Sequence, residues 1–192
     1  MSQYTRDELI KKIRAGETLA GADLTGADLS YETLKNVDFS GANLTDAHLQ
    51  NANLDGANLS NAILKDAFLF GSNLHGAVLD NADLTDANLQ DSNLGNVSAK
   101  GANMHHIALL GSNLDEADLS DANLSRARMK RASLRNTRFD RAKMPKAHLE
   151  RSDLTGASFV DADLTDASFG DATLKNTDFK NAKIEGCMGL DI

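Results

Sequence analysis

The sequence is poor in the residues that a thick core or a cross-linked framework requires. It contains no Trp, two Tyr, one Pro and one Cys, and aromatic residues make up 5% of its 192 positions. A single Cys excludes an intrachain disulfide framework and a zinc module built on Cys ligands. Because bulky rings dominate the buried area of ordinary cores, their scarcity excludes a thick globular core.

Long apolar runs and an excess of positive charge are missing as well. The apolar stretches are only a few residues long, which excludes a membrane-spanning helix, and residues 1–12 lack the apolar segment of a secretory signal. These absences predict a cytoplasmic protein without a membrane partner. The net charge of -8 disfavours general binding to nucleic acid, so we expect no direct nucleic-acid partner.

What the sequence has instead is a five-residue repeat. Every fifth position from Leu24 to Ile184 is apolar, which gives 33 positions, and Leu fills 23 of them. The position two residues earlier is Ala in 23 of the 33 units, and the residue just before each apolar centre is Asp or Asn in about half of them. The consensus is A-(D/N)-L-x-x, and no insertion breaks it.

A period of five fits neither an α-helix nor a flat strand. Asp, Asn, Ser, Thr and Gly occur throughout the repeats, and these residues favour turns. We therefore expect each pentapeptide to form one side and one corner of a square coil. Four pentapeptides, or twenty residues, would close one turn of a right-handed solenoid, with the apolar centre and the small residue pointing inward.

The spacing of twenty residues predicts two columns of stacked side chains. Inward rings that recur at multiples of twenty are Phe39, Phe139, Phe159 and Phe179, whereas Phe169 falls on another side. Outward amides in one column are Asn53, Asn73, Asn93 and Asn113. Stacked coils place equivalent residues about 4.8 Å apart, which suits a ladder of side-chain amides.

These repeats resemble those of the pentapeptide-repeat family, and the resemblance covers residues 22–186. It implies an all-β solenoid, a right-handed quadrilateral β-helix, in which 33 units make about eight coils and a rod roughly 40 Å long. The predicted organisation is a capping helix and lead-in over 1–21, the β-helix over 22–186 and a tail over 187–192.

Both ends of such a solenoid need a cover, because the terminal coils expose the core and unpaired strand edges. A Thr-x-x-Glu capping box at Thr5 predicts a helix over about 6–15, whose Leu9, Ile10 and Ile13 cover the first coil. The C-terminal residues either fold over the last coil or form a homodimer contact, an option that the resemblance adds. These residues are Cys187, Met188, Leu190 and Ile192.

No constellation of catalytic or metal-binding residues is recognisable in the sequence. The five His residues lack a metal-ligand spacing such as HExxH, and neither a G-x-S-x-G elbow nor a Gly-rich phosphate loop occurs. Cys187 has no evident partner to activate it, and a square rod lacks a cleft that would desolvate a carboxylate. We therefore expect a protein that is not an enzyme and uses no cofactor or metal.

Charge is distributed unevenly along the chain. Residues 22–125 carry 15 acids and 3 bases, residues 126–151 carry 2 acids and 10 bases, and residues 152–192 carry 8 acids and 3 bases. The basic belt, residues 126–151, could bind an acidic protein surface or a phosphate chain. The favoured interpretation is that acids twenty residues away neutralise it. The predicted partners are Arg141 with Asp121 and Asp161, Lys143 with Asp163, Lys146 with Asp166, and Arg151 with Asp171.

Two hypotheses for function follow. The leading one is a rod that binds another protein of unknown identity through an outward apolar patch, the basic belt, or both. The candidate interaction residues are Phe68, Phe70, Leu110, Arg128, Arg131, Arg138 and Arg141. The alternative is a DNA mimic that binds DNA gyrase or topoisomerase and alters sensitivity to quinolones or toxins, as the resemblance implies. The regularly spaced acids Asp46, Asp66 and Asp86 favour mimicry, and the basic belt counts against it.

Overall fold

A short helix and a long solenoid make up the computed structural model, which describes residues 4–190. The helix α1 spans Arg6–Arg14. Parallel β-bridges then join residues twenty apart, from Asp23↔Asn43 to Ser168↔Met188. Each side of a coil pairs through the single residue that precedes an apolar centre, so within the described residues the β structure consists of isolated bridges. The expected coil of twenty residues is confirmed.

The corners explain why turn-forming residues occur throughout the repeats. The residue two positions after an apolar centre adopts a left-handed backbone conformation, as in Asn51 (φ 55°) and Asp66 (φ 56°). Gly, Asn and Asp tolerate this region best, and they fill most corners. The exceptions with positive φ are Tyr31, His106, Glu116, Arg126, Arg131, Arg141, Lys146 and Arg151.

The core is a narrow column of apolar centres and small residues. Leu24, Ala42 and Leu64 are completely buried, and the same alternation continues to Phe169. Each inward Leu contributes roughly 1.5–3 kcal/mol through burial. The backbone bonds repeat with the coil, since the Leu24 amide donates to the Asn43 carbonyl at 2.7 Å and the Asn43 amide to the Ala22 carbonyl at 2.9 Å.

Both predicted columns of side chains are confirmed. Phe159 stacks on Phe139 and Phe179 with ring centroids 4.8 and 5.2 Å apart, whereas Phe169 meets Phe159 edge-on at 6.1 Å. The amide ladder donates from each coil to the one before it. The bonds are Asn73 to Asn53 at 3.1 Å, Asn93 to Asn73 at 2.9 Å and Asn113 to Asn93 at 3.1 Å.

The N-terminal helix covers the first coil, as the capping box predicts. The Thr5 hydroxyl accepts from the Glu8 amide, and the Glu8 carboxylate accepts from the Thr5 amide at 2.8 Å. Leu9 is buried in the core and Ile13 packs against it, whereas Ile10 lies outside the core cluster. The Arg6 guanidinium links the helix to the side of the coil that contains Leu29, because it donates to the Asp28 carbonyl at 2.9 Å.

The C-terminal residues continue the last coil. Met188 bridges to Ser168, and Cys187 and Leu190 pack against the core. Ile184 and Met188 are 39% and 60% exposed, so this end of the core is more open than the helix-covered end. Ile192, the fourth residue of the predicted cap or dimer contact, lies outside the described residues.

Candidate functional site

The structure divides the predicted interaction residues between two opposite sides of the solenoid. We call one side the candidate face; its buried centres recur every twenty residues from Leu29 to Phe169. Five predicted residues flank these centres or occupy the following corner, namely Phe68, Phe70, Leu110, Arg128 and Arg131. Arg138 and Arg141 lie half a coil away, beside the buried centre Phe139.

The apolar patch on the candidate face consists of Phe68, Phe70 and Leu110, which are 39%, 45% and 39% exposed. His48 stacks on Phe68 with ring centroids 5.0 Å apart. That stack was missed by sequence reasoning, although the two residues are twenty positions apart and therefore share a column. Tyr31, 76% exposed at a corner of the same face, was also missed.

Carboxylates neutralise the basic residues on the side opposite the candidate face. Arg141 donates from two nitrogens to Asp121 at 2.8 and 2.7 Å, and Arg138 contacts Asp118 at 3.6 Å and Asp140 at 3.1 Å. The hydrogen-bonded guanidinium of Arg141 lowers the pKa of Asp121. Three further belt residues have partners. They are Lys130 with Glu150 at 3.1 Å, Arg135 with Asp153 at 2.6 Å and Arg151 with Asp171 at 3.5 Å.

The expected neutralisation of the whole belt is wrong. Five cations form neither an ion pair nor a side-chain hydrogen bond with any residue from 4 to 190, namely Arg126, Arg128, Arg131, Lys143 and Lys146. Of the predicted pairs, Arg141–Asp121 and Arg151–Asp171 form, whereas Arg141–Asp161, Lys143–Asp163 and Lys146–Asp166 do not in this part of the chain. Sharing a column is not enough, because an exposed pair gains only about 0–1 kcal/mol and must order two side chains.

Lys143 illustrates why two residues in one column do not always form an ion pair. The Asp163 carboxylate already accepts from the amide and the hydroxyl of Thr165, at 3.1 and 2.6 Å. The hydroxyl bond is the main cause that lowers the pKa of Asp163. Its second oxygen lies 4.0 Å from the Nζ of Lys183 on the following coil, so the ionic partner of Asp163 is Lys183 and not Lys143.

Four of the five unpaired cations surround the candidate face. Arg128 lies on it, Arg131 at the corner that follows it, and Arg126 and Lys146 at the corner that precedes it. A groove of about 270 Å³ at this preceding corner is lined by His106, Arg126, Arg128, Lys146 and His148. Arg126 and Lys146 were missed as site residues, although the sequence places them one above the other in a single corner column.

Among residues 4–190, no group of three or more His, Cys, Asp or Glu is arranged to hold a metal ion. Partial burial raises the pKa of the Cys187 thiol, whose Sγ donates to the Leu164 carbonyl at 3.1 Å. The only helix in this part of the chain is too short to cross a membrane.

Comparison with known proteins identifies the repeats. A family model for a pentapeptide repeat region matches residues 42–119, and a model for pentapeptide repeats matches 19–54, 112–151, 132–171 and 152–187. No curated protein matches the chain.

Several solved structures are similar to the chain. HetL, a pentapeptide repeat protein involved in heterocyst differentiation regulation in the cyanobacterium Nostoc sp. strain PCC 7120, is 28% identical, with 97% of this chain and 98% of HetL covered and a TM-score of 0.53. A pentapeptide repeat protein from the Arabidopsis thaliana thylakoid lumen is 26% identical over 62% of this chain and 68% of its own, with a TM-score of 0.46. QnrB1, a plasmid-mediated fluoroquinolone resistance protein, is 21% identical over 83% of this chain and 90% of its own, with a TM-score of 0.43.

Proposed function

Because the chain belongs to the pentapeptide-repeat family, we propose that it is a non-enzymatic rod that binds another protein through the candidate face. The observation that carries this proposal is the segregation of charge. Four cations that form no ion pair within residues 4–190 gather around the face that also exposes Phe68 and Phe70, beside the paired Lys130 and Arg151, while Arg138 and Arg141 on the opposite side are both paired.

Apolar side chains beside unneutralised charge are what a protein interface requires. Aromatic residues and Arg are enriched at interfaces and supply much of their binding energy. An Arg without an internal carboxylate partner can pair with a carboxylate of another protein without first breaking an existing bond. The candidate face therefore favours a partner with acidic side chains next to apolar ones.

Capture of the partner from native lysate by the tagged protein tests the proposal. We expect Phe70→Asp and the double variant Arg128→Glu/Arg131→Glu to lose a protein that the wild type retains. Arg138→Glu/Arg141→Glu is the matched control, since it reverses the same charge on the opposite side. Retention of every captured protein by both face variants would show that the candidate face is not the binding surface.

The handedness and the number of coils of the solenoid that supports this face are also part of the proposal. We propose a right-handed solenoid of about eight coils, formed by residues 22–186 between a capped lead-in and a short tail.

The exposed Ile184 and Met188 make the C-terminal end a second proposed contact, where another copy of the chain would cover the core. Met188→Asp should weaken any association made through this end, which the molar mass in solution measures.

A second candidate function is DNA mimicry directed at a topoisomerase. It is supported by Asp46 and Asp66, which are exposed one coil apart and form no ion pair within residues 4–190. A gyrase supercoiling assay with and without a fluoroquinolone tests it. Inhibition or protection at micromolar protein, lost in Asp46→Asn/Asp66→Asn, is the expected result; no effect of the wild type would exclude this candidate.

A further inference from the structure

The charges along one corner of the candidate face point to a specific partner. We propose that this face pairs with the same face of a second copy of the chain, with the two rods antiparallel. The inference rests on the proposed function, because it names the partner that the candidate face binds.

The charged column is the corner column that precedes the candidate face. Its members, in order along the rod, are Gly26, Asp46, Asp66, Asp86, His106, Arg126, Lys146, Asp166 and Gly186. Three successive acids are followed by His and two cations, so the column changes sign between Asp86 and His106. Neighbouring members are one coil, about 4.8 Å, apart.

The acids and the cations are placed symmetrically about this change of sign. Asp66 and Arg126 lie one and a half coils from the midpoint, and Asp46 and Lys146 lie two and a half coils from it. A two-fold axis through the midpoint, perpendicular to the rod, therefore brings each acid of one copy opposite a cation of the other. Such an interface is isologous, so every pair occurs twice.

The orientation follows from the same charges. If the two rods lay parallel with this column in contact, Asp46 would face Asp46 and Lys146 would face Lys146, and like charges in direct opposition are destabilising. Only the antiparallel arrangement matches opposite signs over the whole run. At the midpoint it sets Asp86 against His106, a pairing that also occurs within one chain at 2.6 Å.

The rest of the candidate face is compatible with this arrangement. Under the same two-fold axis, Phe68 faces Arg128 and Phe70 faces Lys130. A guanidinium or ammonium group over an aromatic ring is attracted to it. The apolar patch of one copy would thus cover the basic part of the other, and both would lose exposure to water.

Within a single chain the cationic half of the column is unfavourable. Arg126 and Lys146 adopt φ values of 59°, a conformation that costs side chains with a Cβ free energy, and they stack as like charges. Neither has a partner within residues 4–190. A second copy would supply the missing carboxylates, Asp66 and Asp46.

The other three corner columns carry no comparable pattern between residues 21 and 181. The column of Asn36 contains one charged residue, Glu116, and the column of Gly21 contains Asp121, Arg141 and Asp161, in which Arg141 is already paired. The corner that follows the candidate face has Arg131 and Arg151 but only one acid before them, Asp91. The proposed interface therefore belongs to one corner of the rod.

Charge reversal in the two halves of the column tests the proposal. Sedimentation analysis at low salt should show the wild type in monomer–dimer equilibrium, weakened by added salt, which screens exposed charge pairs. Asp46→Lys/Asp66→Lys alone and Arg126→Asp/Lys146→Asp alone should each associate at least about tenfold more weakly, because every pair then meets like charge. An equimolar mixture of the two variants should restore dimerisation, since a heterodimer recovers all four pairs.

Two further variants keep the outcome interpretable. Asp121→Lys/Arg141→Asp swaps charges in the neighbouring corner column, a quarter-turn away and outside the proposed interface, and should leave association unchanged. The inference is overturned if the wild type is monomeric at about 0.1 mM, if the mixture fails to restore the dimer, or if Met188→Asp abolishes an association that the column variants leave intact. If the column variants do not change self-association but Arg128→Glu/Arg131→Glu still loses a protein that the wild type captures from lysate, the proposed function stands.

Discussion

At the scale of single residues, the corner position decides which side chains the rod can present. It holds a left-handed backbone, so Asn, Asp and Gly are the residues that fit it with least cost. Arg126 and Lys146 depart from this rule and gain no internal partner in the described chain. Sequence reasoning places both in the basic belt but pairs Lys146 with Asp166, because the spacing of twenty residues determines the column of a side chain and not its rotamer.

The left-handed backbone at Arg126 predicts that Arg126→Asn stabilises the fold. Relief of the left-handed strain and of the stacked charge on Lys146 should raise the free energy of unfolding by about 0.5–1 kcal/mol. Urea denaturation measures the change. Arg141→Asn is the matched comparison, since it relieves the same strain but loses the bonds to Asp121, and it should gain less. A less stable Arg126→Asn would contradict the argument.

Residues just before the apolar centres show that Asp and Asn are interchangeable as turn acceptors. The Asn43 side chain accepts from the amide and hydroxyl of Thr45 at 3.1 and 2.7 Å, as Asp163 accepts from Thr165. The consensus predicts this alternation without the structure. What the consensus cannot show is which cation each carboxylate then pairs with, as in Asp153 with Arg135 and Asp163 with Lys183.

At the scale of elements, the helix α1 was predictable because its signals are local. The capping box, the apolar spacing and the basic last turn all lie within a dozen residues, and the observed Arg6–Arg14 matches the expected range. Ile10 was expected to cover the first coil but lies outside the core cluster. The angle at which the helix lies on the coil decides which of its residues are buried. The spacing of apolar residues in the sequence does not determine that angle.

The helix therefore acts as a cover mainly through Leu9. Leu9→Ala should lower the free energy of unfolding by about 2–4 kcal/mol, because Leu9 is buried against the first coil. Ile10→Ala, which removes a similar side chain from the partly exposed side of the helix, should cost less than half as much. Thermal denaturation compares the two, and equal losses would show that the helix does not lie as described.

At the scale of the whole molecule, hydrogen-bonded carboxylates give the rod a pH-dependent stability. Hydrogen bonds to Thr25, Arg141 and Thr165 are the main causes that lower the pKa values of Asp23, Asp121 and Asp163. A lowered folded-state pKa contributes stability that is present above the unfolded value, about 3.9 for Asp, and is lost as the pH falls through the folded value.

We therefore expect the melting temperature to be level from pH 7 to about 5 and to fall steeply below about pH 4. Asp163→Asn should keep its turn bonds, as Asn43 does, and should reduce the acid sensitivity. Thermal melts between pH 7 and 2.5 measure both. A melting temperature that rises on acidification would contradict the assignment of these carboxylates.

The unbroken phase of the repeat has a rotational consequence. Inserting or deleting one pentapeptide between Phe70 and Arg128 would rotate every later side of the rod by a quarter of a revolution. Arg128 and Arg131 would then no longer lie on the same side of the rod as Phe68 and Phe70. Loss of twenty residues would instead shorten the rod and preserve that alignment. Lineages that keep the surface should therefore vary in length by whole revolutions.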